Sequence, residues 1–169
     1  MAIISSLEKN QAAEIIKNIY QKFEEEGKNI PEWVKVMAHR PEILKEFFEL
    51  FRIVMGPGKI EGLLKWKIAY TVSDTLKCPF CVDVTIKMMK TLGATEKEIE
   101  EMKKSGIEKE KYLLDMVKEV TKEAQVCNQE LFSKLKDNFS EEQIVEIVSI
   151  IGLFNYINRF NNTFCILPE

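Results

Sequence analysis

Histidine is almost absent from this sequence, which has one, His39, among its 169 residues. Cysteines are also few: Cys78 and Cys81 form one pair, while Cys127 and Cys165 stand alone. A structural zinc site usually takes four ligands, commonly two cysteine pairs or a pair with spaced histidines. Because the lone residues lie at no such spacing, we predict no metal site and no other cofactor.

Neither an excess of positive charge nor a long apolar run is present. The 24 basic and 27 acidic residues give a net charge of -3, which offers no general attraction for phosphate backbones, so no nucleic-acid partner is predicted. The most apolar stretch, residues 144–160, is interrupted by Glu146 and Arg159 and is no membrane span, which needs ~20 apolar residues. Residues 1–6 contain no basic leader. We expect a cytoplasmic protein without membrane contact.

Strand-like alternation bounded by hairpin turns is also missing, and apolar residues instead recur at helical spacing. No polar linker is long enough to divide the chain. We therefore predict one all-α domain, a compact multi-helix bundle over residues 1–169. The predicted helices near the cysteines and after them are Ile60 to Lys77, Cys78 to Leu92, Thr95 to Ser105, Glu108 to Asp137 with a break near Asn128, and a last helix from Ser140. Capping boxes are predicted at Thr95-Glu98 and Ser140-Gln143, and Gly27 and Gly93 are predicted to end the helices before them.

The motif Cys78-Pro79-Phe80-Cys81 fits the opening turn of a helix. Proline lacks the N–H that the first helical position leaves unpaired, so Cys78 is predicted as the N-cap. The free N–H groups and the positive end of the helix dipole favour thiolate over thiol at both sulfurs. A helical turn also brings the two sulfurs close enough to form and reopen a disulfide.

Three interpretations of this pair remain open: a redox dithiol, half of a zinc site, and two inert core thiols. The redox interpretation is favoured, since cellular reductants keep most cytoplasmic thiols reduced. A lone CxxC in that compartment is more plausibly catalytic or regulatory than structural. Cys127 and Cys165 lie in helical apolar contexts and are predicted to be packed thiols.

An ordered series of motifs resembles a known family. It comprises residues 37–44 (Met-Ala-His-Arg-Pro-Glu-Ile-Leu), Gly56-Pro57-Gly58, the CxxC motif, residues 92–99 and residues 154–161 (Phe-Asn-Tyr-Ile-Asn-Arg-Phe-Asn). The series is similar to the carboxymuconolactone decarboxylase superfamily, and within it to the alkylhydroperoxidase D-like and peroxidase-related branch. The resemblance covers roughly residues 30–169 and is most specific between Cys78 and Glu98.

The resemblance implies an all-helical subunit that forms homo-oligomers, commonly trimers or hexamers. It also implies a peroxiredoxin-like CxxC site that reduces hydroperoxides or exchanges disulfides, with an external thiol, possibly a protein, as reductant. In active members a glutamate twelve residues before the first cysteine and a histidine four after the second form a proton relay. This sequence has Trp66 and Thr85 at those positions, so both relay residues are missing.

The missing relay leaves the activation of the sulfurs to the helix N-terminus or to another acid. Threonine passes on a hydrogen bond but does not change charge near neutral pH as histidine does, and tryptophan supplies no base. Asp74, Asp83 and Glu61 are candidate acids at non-family positions, and His39 is interpreted as a loop or cap residue. The family relay places Cys81 toward the peroxide and Cys78 as the resolving or exchanging thiol, although helix geometry in general favours the first cysteine.

Two functions are kept from these observations, and a third is ranked last. The first is a thiol-disulfide oxidoreductase with hydroperoxide-reducing activity through Cys78 and Cys81, with Trp66 and Thr85 lining the site. The second is a non-enzymatic or redox-sensing oligomer whose degenerate site keeps the dithiol. The decarboxylase side of the superfamily is ranked last, because it needs no CxxC motif and no cluster of histidine and arginine surrounds this one.

Overall fold

A computed structural model describes residues 2–104, 110–123 and 129–168. Within these ranges the chain forms nine α-helices and no strand, which confirms the all-α prediction. The helices are α1 (Glu14–Glu25), α2 (Glu32–Met37), α3 (Pro41–Met55), α4 (Gly62–Thr75), α5 (Pro79–Thr91), α6 (Glu96–Lys104), α7 (Lys111–Lys122), α8 (Gln129–Lys136) and α9 (Glu141–Thr163).

Both predicted capping boxes are confirmed. Thr95 Oγ1 accepts a hydrogen bond from the Glu98 N–H while Glu98 Oε2 accepts one from the Thr95 N–H. Ser140 and Gln143 make the same reciprocal pair at the start of α9. The predicted helical region from Glu108 to Asp137 contains α7 and α8, and the expected break near Asn128 lies outside the described residues.

Helix α4 lies at the centre of the bundle and packs against α5, α7 and α9. Its buried side chains occur on all sides of the helix, which is the pattern of a fully enclosed element rather than of a surface helix. They are Lys65, Trp66, Ile68, Ala69, Tyr70, Thr71, Val72 and Ser73. Since burial of each large apolar side chain contributes about 1.5–3 kcal/mol, this helix is a main source of stability for the fold.

The buried face of helix α9 changes from apolar to polar along its 23 residues. Its buried face begins with Ile144 and Ile147, continues through Ile151 and Phe154, and ends in two amide side chains. These last two residues, Asn158 and Asn161, are fully buried beside the C-terminal end of α4 and the start of α5. The core is therefore apolar along most of α9 and polar where the cysteines lie.

A buried ion pair fixes the connection between α3 and α4. Lys65 is 1% exposed, and its Nζ donates to the carbonyl oxygens of Val54 (2.9 Å) and Gly56 (2.6 Å) and pairs with Glu146 of α9. Glu146 Oε2 also accepts the N–H groups of Lys59 (2.7 Å) and Ile60 (3.1 Å). Each charge is thus met by several partners, as a buried pair requires.

Candidate active site

The connection between α4 and α5 places both cysteines in the core. Lys77 adopts a left-handed backbone with φ 53°, and its N–H donates to the Asp74 carbonyl (3.2 Å). The Cys78 N–H donates to the Ser73 carbonyl (3.1 Å). These two bonds form a Schellman motif that ends α4, and the next helix begins at once. Cys78 therefore takes part both in the end of α4 and in the start of α5.

Cys78 is the N-cap of α5, as predicted from the Cys-Pro sequence. Its Sγ accepts a hydrogen bond from the Cys81 N–H at 3.4 Å, and Pro79 occupies the first helical turn. The two Sγ atoms are 2.9 Å apart and share a hydrogen bond. Both side chains are buried, Cys78 at 0% and Cys81 at 4% exposure. The arrangement is a reduced dithiol one step from a disulfide, shielded from solvent.

A second helix contributes directly to the dithiol. Asn161 of α9 is fully buried, and its Nδ2 donates to Cys81 Sγ at 3.3 Å. One turn earlier, Asn158 Nδ2 donates to Ser73 Oγ at 3.2 Å and to the Phe154 carbonyl at 2.6 Å. Because Ser73 also holds the Cys78 backbone, the end of α9 is tied to both cysteines.

The pKa values of the two thiols are shifted in opposite directions. The hydrogen bond with Cys81 lowers the pKa of Cys78; burial acts against this, and the N–H groups of Cys81 and Phe80 add to the lowering. The hydrogen bond with Cys78 raises the pKa of Cys81, and burial and the charge of Cys78 raise it further, while the Asn161 donor opposes them. The first proton to leave the pair therefore comes from Cys78.

No family model matches the sequence, and no curated protein matches it. Solved structures with the same architecture do exist. A peroxidase-related protein from Ralstonia eutropha JMP134, described as an alkylhydroperoxidase AhpD core, aligns with a TM-score of 0.85 at 21% identity over 99% of this chain and 92% of that one. A protein of unknown function from Agrobacterium tumefaciens, with a suggested antioxidant-defence role as an AhpD, aligns with a TM-score of 0.68 at 29% identity over 79% and 94%. The chain has the alkylhydroperoxidase D fold.

The solved structures that share this fold are named for different activities. The debrominase Bmp8 aligns with this chain at a TM-score of 0.81 and 21% identity, over 99% of this chain and 92% of that one. The predicted resemblance is confirmed at the level of the fold. Since a fold hosts different reactions, the choice of reaction depends on the side chains at the site.

Trp66 and Thr85, which stand where the family resemblance implies a proton relay, make structural contacts. The Trp66 ring packs with Phe51 and Phe154, at centroid distances of 6.2 and 5.9 Å. The Thr85 hydroxyl donates to the backbone carbonyls of Cys81 and Val82, both at 2.9 Å. Trp66 supplies packing, and Thr85 supports the backbone that carries Cys81.

The alternative acids named from the sequence have other partners. Asp83 pairs with Lys87 at 2.6 Å, and Asp74 lies 3.5 Å from Lys77. The Glu61 carboxylate caps α4 by accepting the Leu63 N–H. The fourth residue, His39, lies in the turn after α2 with its Nε2 2.8 Å from the Ser5 carbonyl, which agrees with the loop interpretation.

One cysteine prediction was wrong. Cys165 follows the end of α9 in a left-handed conformation with φ 56° and is exposed, so it is not a packed helical thiol. The Schellman motif that ends α9 turns it outward, while the next residue, Ile166, is buried. Cys127 lies outside the described residues.

Sequence reasoning missed Asn158 and Asn161. Both lie in residues 154–161, a segment that supported the family resemblance. Their three-residue spacing continues the buried stripe of Ile151 and Phe154. Amides on an otherwise apolar helix face were the available signal, because buried polar side chains need hydrogen-bond partners.

Within the described ranges, no helix is both long enough and apolar enough to cross a membrane. In the same ranges, no three His, Cys, Asp or Glu side chains gather at a distance that would hold a metal ion.

Proposed function

We propose that this protein is a thiol-disulfide oxidoreductase that reduces hydroperoxides through Cys78 and Cys81. The observation that carries this proposal is the pair of sulfurs 2.9 Å apart at a helix N-terminus, with the pKa of Cys78 lowered. A thiolate is the nucleophilic form of cysteine, and a neighbouring thiol in contact is what a disulfide product requires.

In the first step the Cys78 thiolate attacks the terminal oxygen of a hydroperoxide. The O–O bond breaks, Cys78 becomes a sulfenic acid, and the leaving alkoxide takes a proton to form an alcohol. The Cys81 thiol is the proton donor in contact with the reacting sulfur. It therefore supplies the proton that a relay histidine would otherwise deliver, which makes Trp66 and Thr85 compatible with turnover.

In the second step the Cys81 thiolate attacks the sulfenic sulfur. The S–S bond forms, and the departing hydroxide takes a proton from solvent to give water. The cycle therefore converts two thiols and one hydroperoxide into a disulfide, an alcohol and water. An external dithiol, small or protein-borne, then reduces the disulfide by exchange. This assignment makes Cys78 the peroxide-reactive sulfur, in contrast to the order implied by the family relay.

The test is consumption of hydrogen peroxide and cumene hydroperoxide with dithiothreitol as reductant. We expect Cys78→Ser and Cys81→Ser to lose activity by about 100-fold or more, since each removes one of the two reacting sulfurs. Cys165→Ser is the matched control, because this exposed thiol lies outside the pair, and it should retain full activity. Equal activity in all four proteins would exclude the dithiol mechanism.

The second candidate is a redox sensor, and the burial of both sulfurs favours it. Slow formation of the Cys78–Cys81 disulfide with hydrogen peroxide, without turnover when dithiothreitol is present, would support the sensor.

Bmp8 is a debrominase, so a brominated pyrrole belongs in the same assay as a third substrate class. Bromide release that depends on Cys78 would replace the peroxidase proposal with a dehalogenase.

A further inference from the structure

Within the described part of the chain, Asn161 is the one side chain from another helix that hydrogen-bonds to a cysteine sulfur. It approaches Cys81 from α9, 80 residues further along the sequence, and its Nδ2 lies 3.3 Å from Cys81 Sγ. Its side chain is fully buried, so water does not compete for this bond. An N–H donor at this position stabilises negative charge on Cys81.

The amide oxygen of the same side chain is also unusual. Asn161 Oδ1 is buried and accepts no hydrogen bond from any residue that the structure describes. Rotation of the amide by half a turn exchanges its oxygen and nitrogen, so the group can present an acceptor to a thiol or a donor to a thiolate. Asn161 can therefore form a hydrogen bond with Cys81 in either protonation state, which aspartate and leucine cannot.

The backbone around Asn161 is held on both sides. Its carbonyl oxygen accepts the Ile166 N–H at 2.9 Å in the motif that ends α9. One turn before it, Asn158 is anchored to Ser73, whose carbonyl binds the Cys78 N–H. The amide of Asn161 and the two sulfurs thus sit on one connected frame, which is the support that a functional group needs to stay aligned.

We propose that Asn161 is a catalytic hydrogen-bond donor that stabilises the Cys81 thiolate in the step that forms the disulfide. This inference rests on the proposed dithiol function and adds a residue to it. When the leaving alkoxide has taken the Cys81 proton, Asn161 Nδ2 holds the new thiolate. That thiolate then attacks the Cys78 sulfenic sulfur, the S–O bond breaks, and hydroxide leaves to be protonated by solvent.

The first measurement needs no peroxide. In a Cys78→Ser background, the ionisation of Cys81 is followed through the pH dependence of its alkylation. Cys78 raises the pKa of Cys81 through its hydrogen bond and its charge, so its removal leaves burial and the Asn161 amide as the remaining influences. Asn161→Ala removes the donor without adding a charge, and Asn161→Asp keeps the size, removes the donor and adds a negative charge beside the sulfur. We expect both to raise the pKa of Cys81, the aspartate by at least about one unit, a tenfold change in proton affinity.

The matched control is Asn162→Asp at the next residue. Asn162 is exposed and its Nδ2 donates to the Leu76 carbonyl at 3.0 Å, so the same charge is introduced without touching a sulfur. Asn161→Ala is a second, uncharged variant in case aspartate prevents folding. Asn162→Asp and Asn161→Ala should leave the helical circular dichroism unchanged. Only the Asn161 variants should shift the titration of Cys81.

The second measurement follows the Cys78 sulfenic acid after one equivalent of hydrogen peroxide, using a cyclic dione that traps it. With both cysteines present, we expect Asn161→Ala to slow disulfide formation about tenfold and to increase trapped sulfenic acid, while the first step keeps its rate. An unchanged Cys81 titration and unchanged trapping would overturn the role of Asn161. A shifted titration in a protein that consumes no peroxide would instead overturn the peroxidase function and retain the Asn161–Cys81 interaction.

Discussion

Cys78 and Cys81 differ in acidity because their hydrogen bonds differ, although one helical turn carries both. Cys78 Sγ receives the Cys81 N–H, while Cys81 Sγ receives one amide N–H from Asn161. The sulfur-to-sulfur hydrogen bond favours a single negative charge on the pair, located on Cys78. In the proposed mechanism the helix N-terminus and Cys81 together take the place of an external base.

We expect replacement of Cys81 by alanine to raise the pKa of Cys78, because the thiol that hydrogen-bonds to its thiolate is lost. Cys81→Ser is the control, since its hydroxyl can still donate to Cys78 Sγ and should keep the pKa of Cys78 lowered. Thiolate absorbance against pH, in proteins without Cys127 and Cys165, measures both. Identical titration of the alanine and serine variants would show that Cys81 does not set the acidity of Cys78.

The predictable part of the site is the part encoded locally. The Cys-Pro sequence was sufficient to predict the N-cap and the closeness of the two sulfurs. The sequence left the order of acidity open, because helix geometry favours Cys78 and the family relay favours Cys81. In the structure the order follows mainly from the hydrogen bond between the two sulfurs and from the burial of Cys81, while the Asn161 amide, 80 residues away in sequence, opposes it. Trp66 and Thr85 were recognised as departures from the relay, but their hydrogen bonds and packing required the structure.

At the scale of the helices, the predicted ends were those marked by glycine. Gly27 and Gly93 have φ of 65° and 94° and follow α1 and α5 as predicted. Lys77 and Cys165 adopt the same left-handed backbone without glycine, and the sequence carried no signal for them. A lysine at such a position costs about 1–2 kcal/mol relative to glycine before the entropy of the unfolded chain is counted.

We therefore expect Lys77→Gly to increase the free energy of unfolding by about 1 kcal/mol. Urea denaturation measures the change. Lys77→Ala is the control: it loses the same exposed contact with Asp74 but keeps the left-handed strain, so it should give no increase. A glycine variant no more stable than the alanine variant would show that the backbone at Lys77 is not strained.

The pair formed by Lys65 and Glu146 joins α4 and α9 and should make stability depend on pH. Burial alone would raise the pKa of Glu146, but the hydrogen bonds from Lys65, Lys59 and Ile60 and the charge of Lys65 outweigh it, so the pKa is lowered. A carboxyl with a lowered folded pKa stabilises the protein above its unfolded value of ~4.3, and this contribution is lost as the pH falls through the folded pKa.

Glu146→Gln should lower the free energy of unfolding by about 3 kcal/mol near neutral pH, since it leaves Lys65 buried without its counter-charge. The difference from the unchanged protein should shrink as the pH is lowered below ~4.3. Glu142→Gln is the control one turn earlier, where an exposed contact with Lys59 at 3.5 Å should contribute less than about 1 kcal/mol. This account would be contradicted if the free energies of unfolding of all three proteins changed with pH in parallel.

At the scale of the whole molecule, apolar side chains remain exposed along two adjacent helices. Helices α3 and α9 pack together and border a groove of about 530 Å³, lined on its apolar side by Ile43, Phe47, Leu50, Gly152, Leu153 and Tyr156. Ile43, Leu50 and Tyr156 are 41%, 50% and 45% exposed. Val145 and Val148, nearer the start of α9, are exposed as well. Apolar side chains grouped in this way mark interaction surfaces.

We expect this α3–α9 groove to bind a second copy of the chain, in keeping with the homo-oligomer that the family resemblance implies. Leu50→Glu places a charge in the centre of the groove, and burying that charge between subunits would cost more than the contact gains. The molar mass from light scattering should therefore fall to that of a 19.7 kDa monomer. Leu92→Glu is the control, because Leu92 is 45% exposed but follows α5 and does not line the groove. If Leu50→Glu leaves the oligomer unchanged, the interface lies elsewhere. If the unsubstituted protein is already a monomer, the groove binds no second copy.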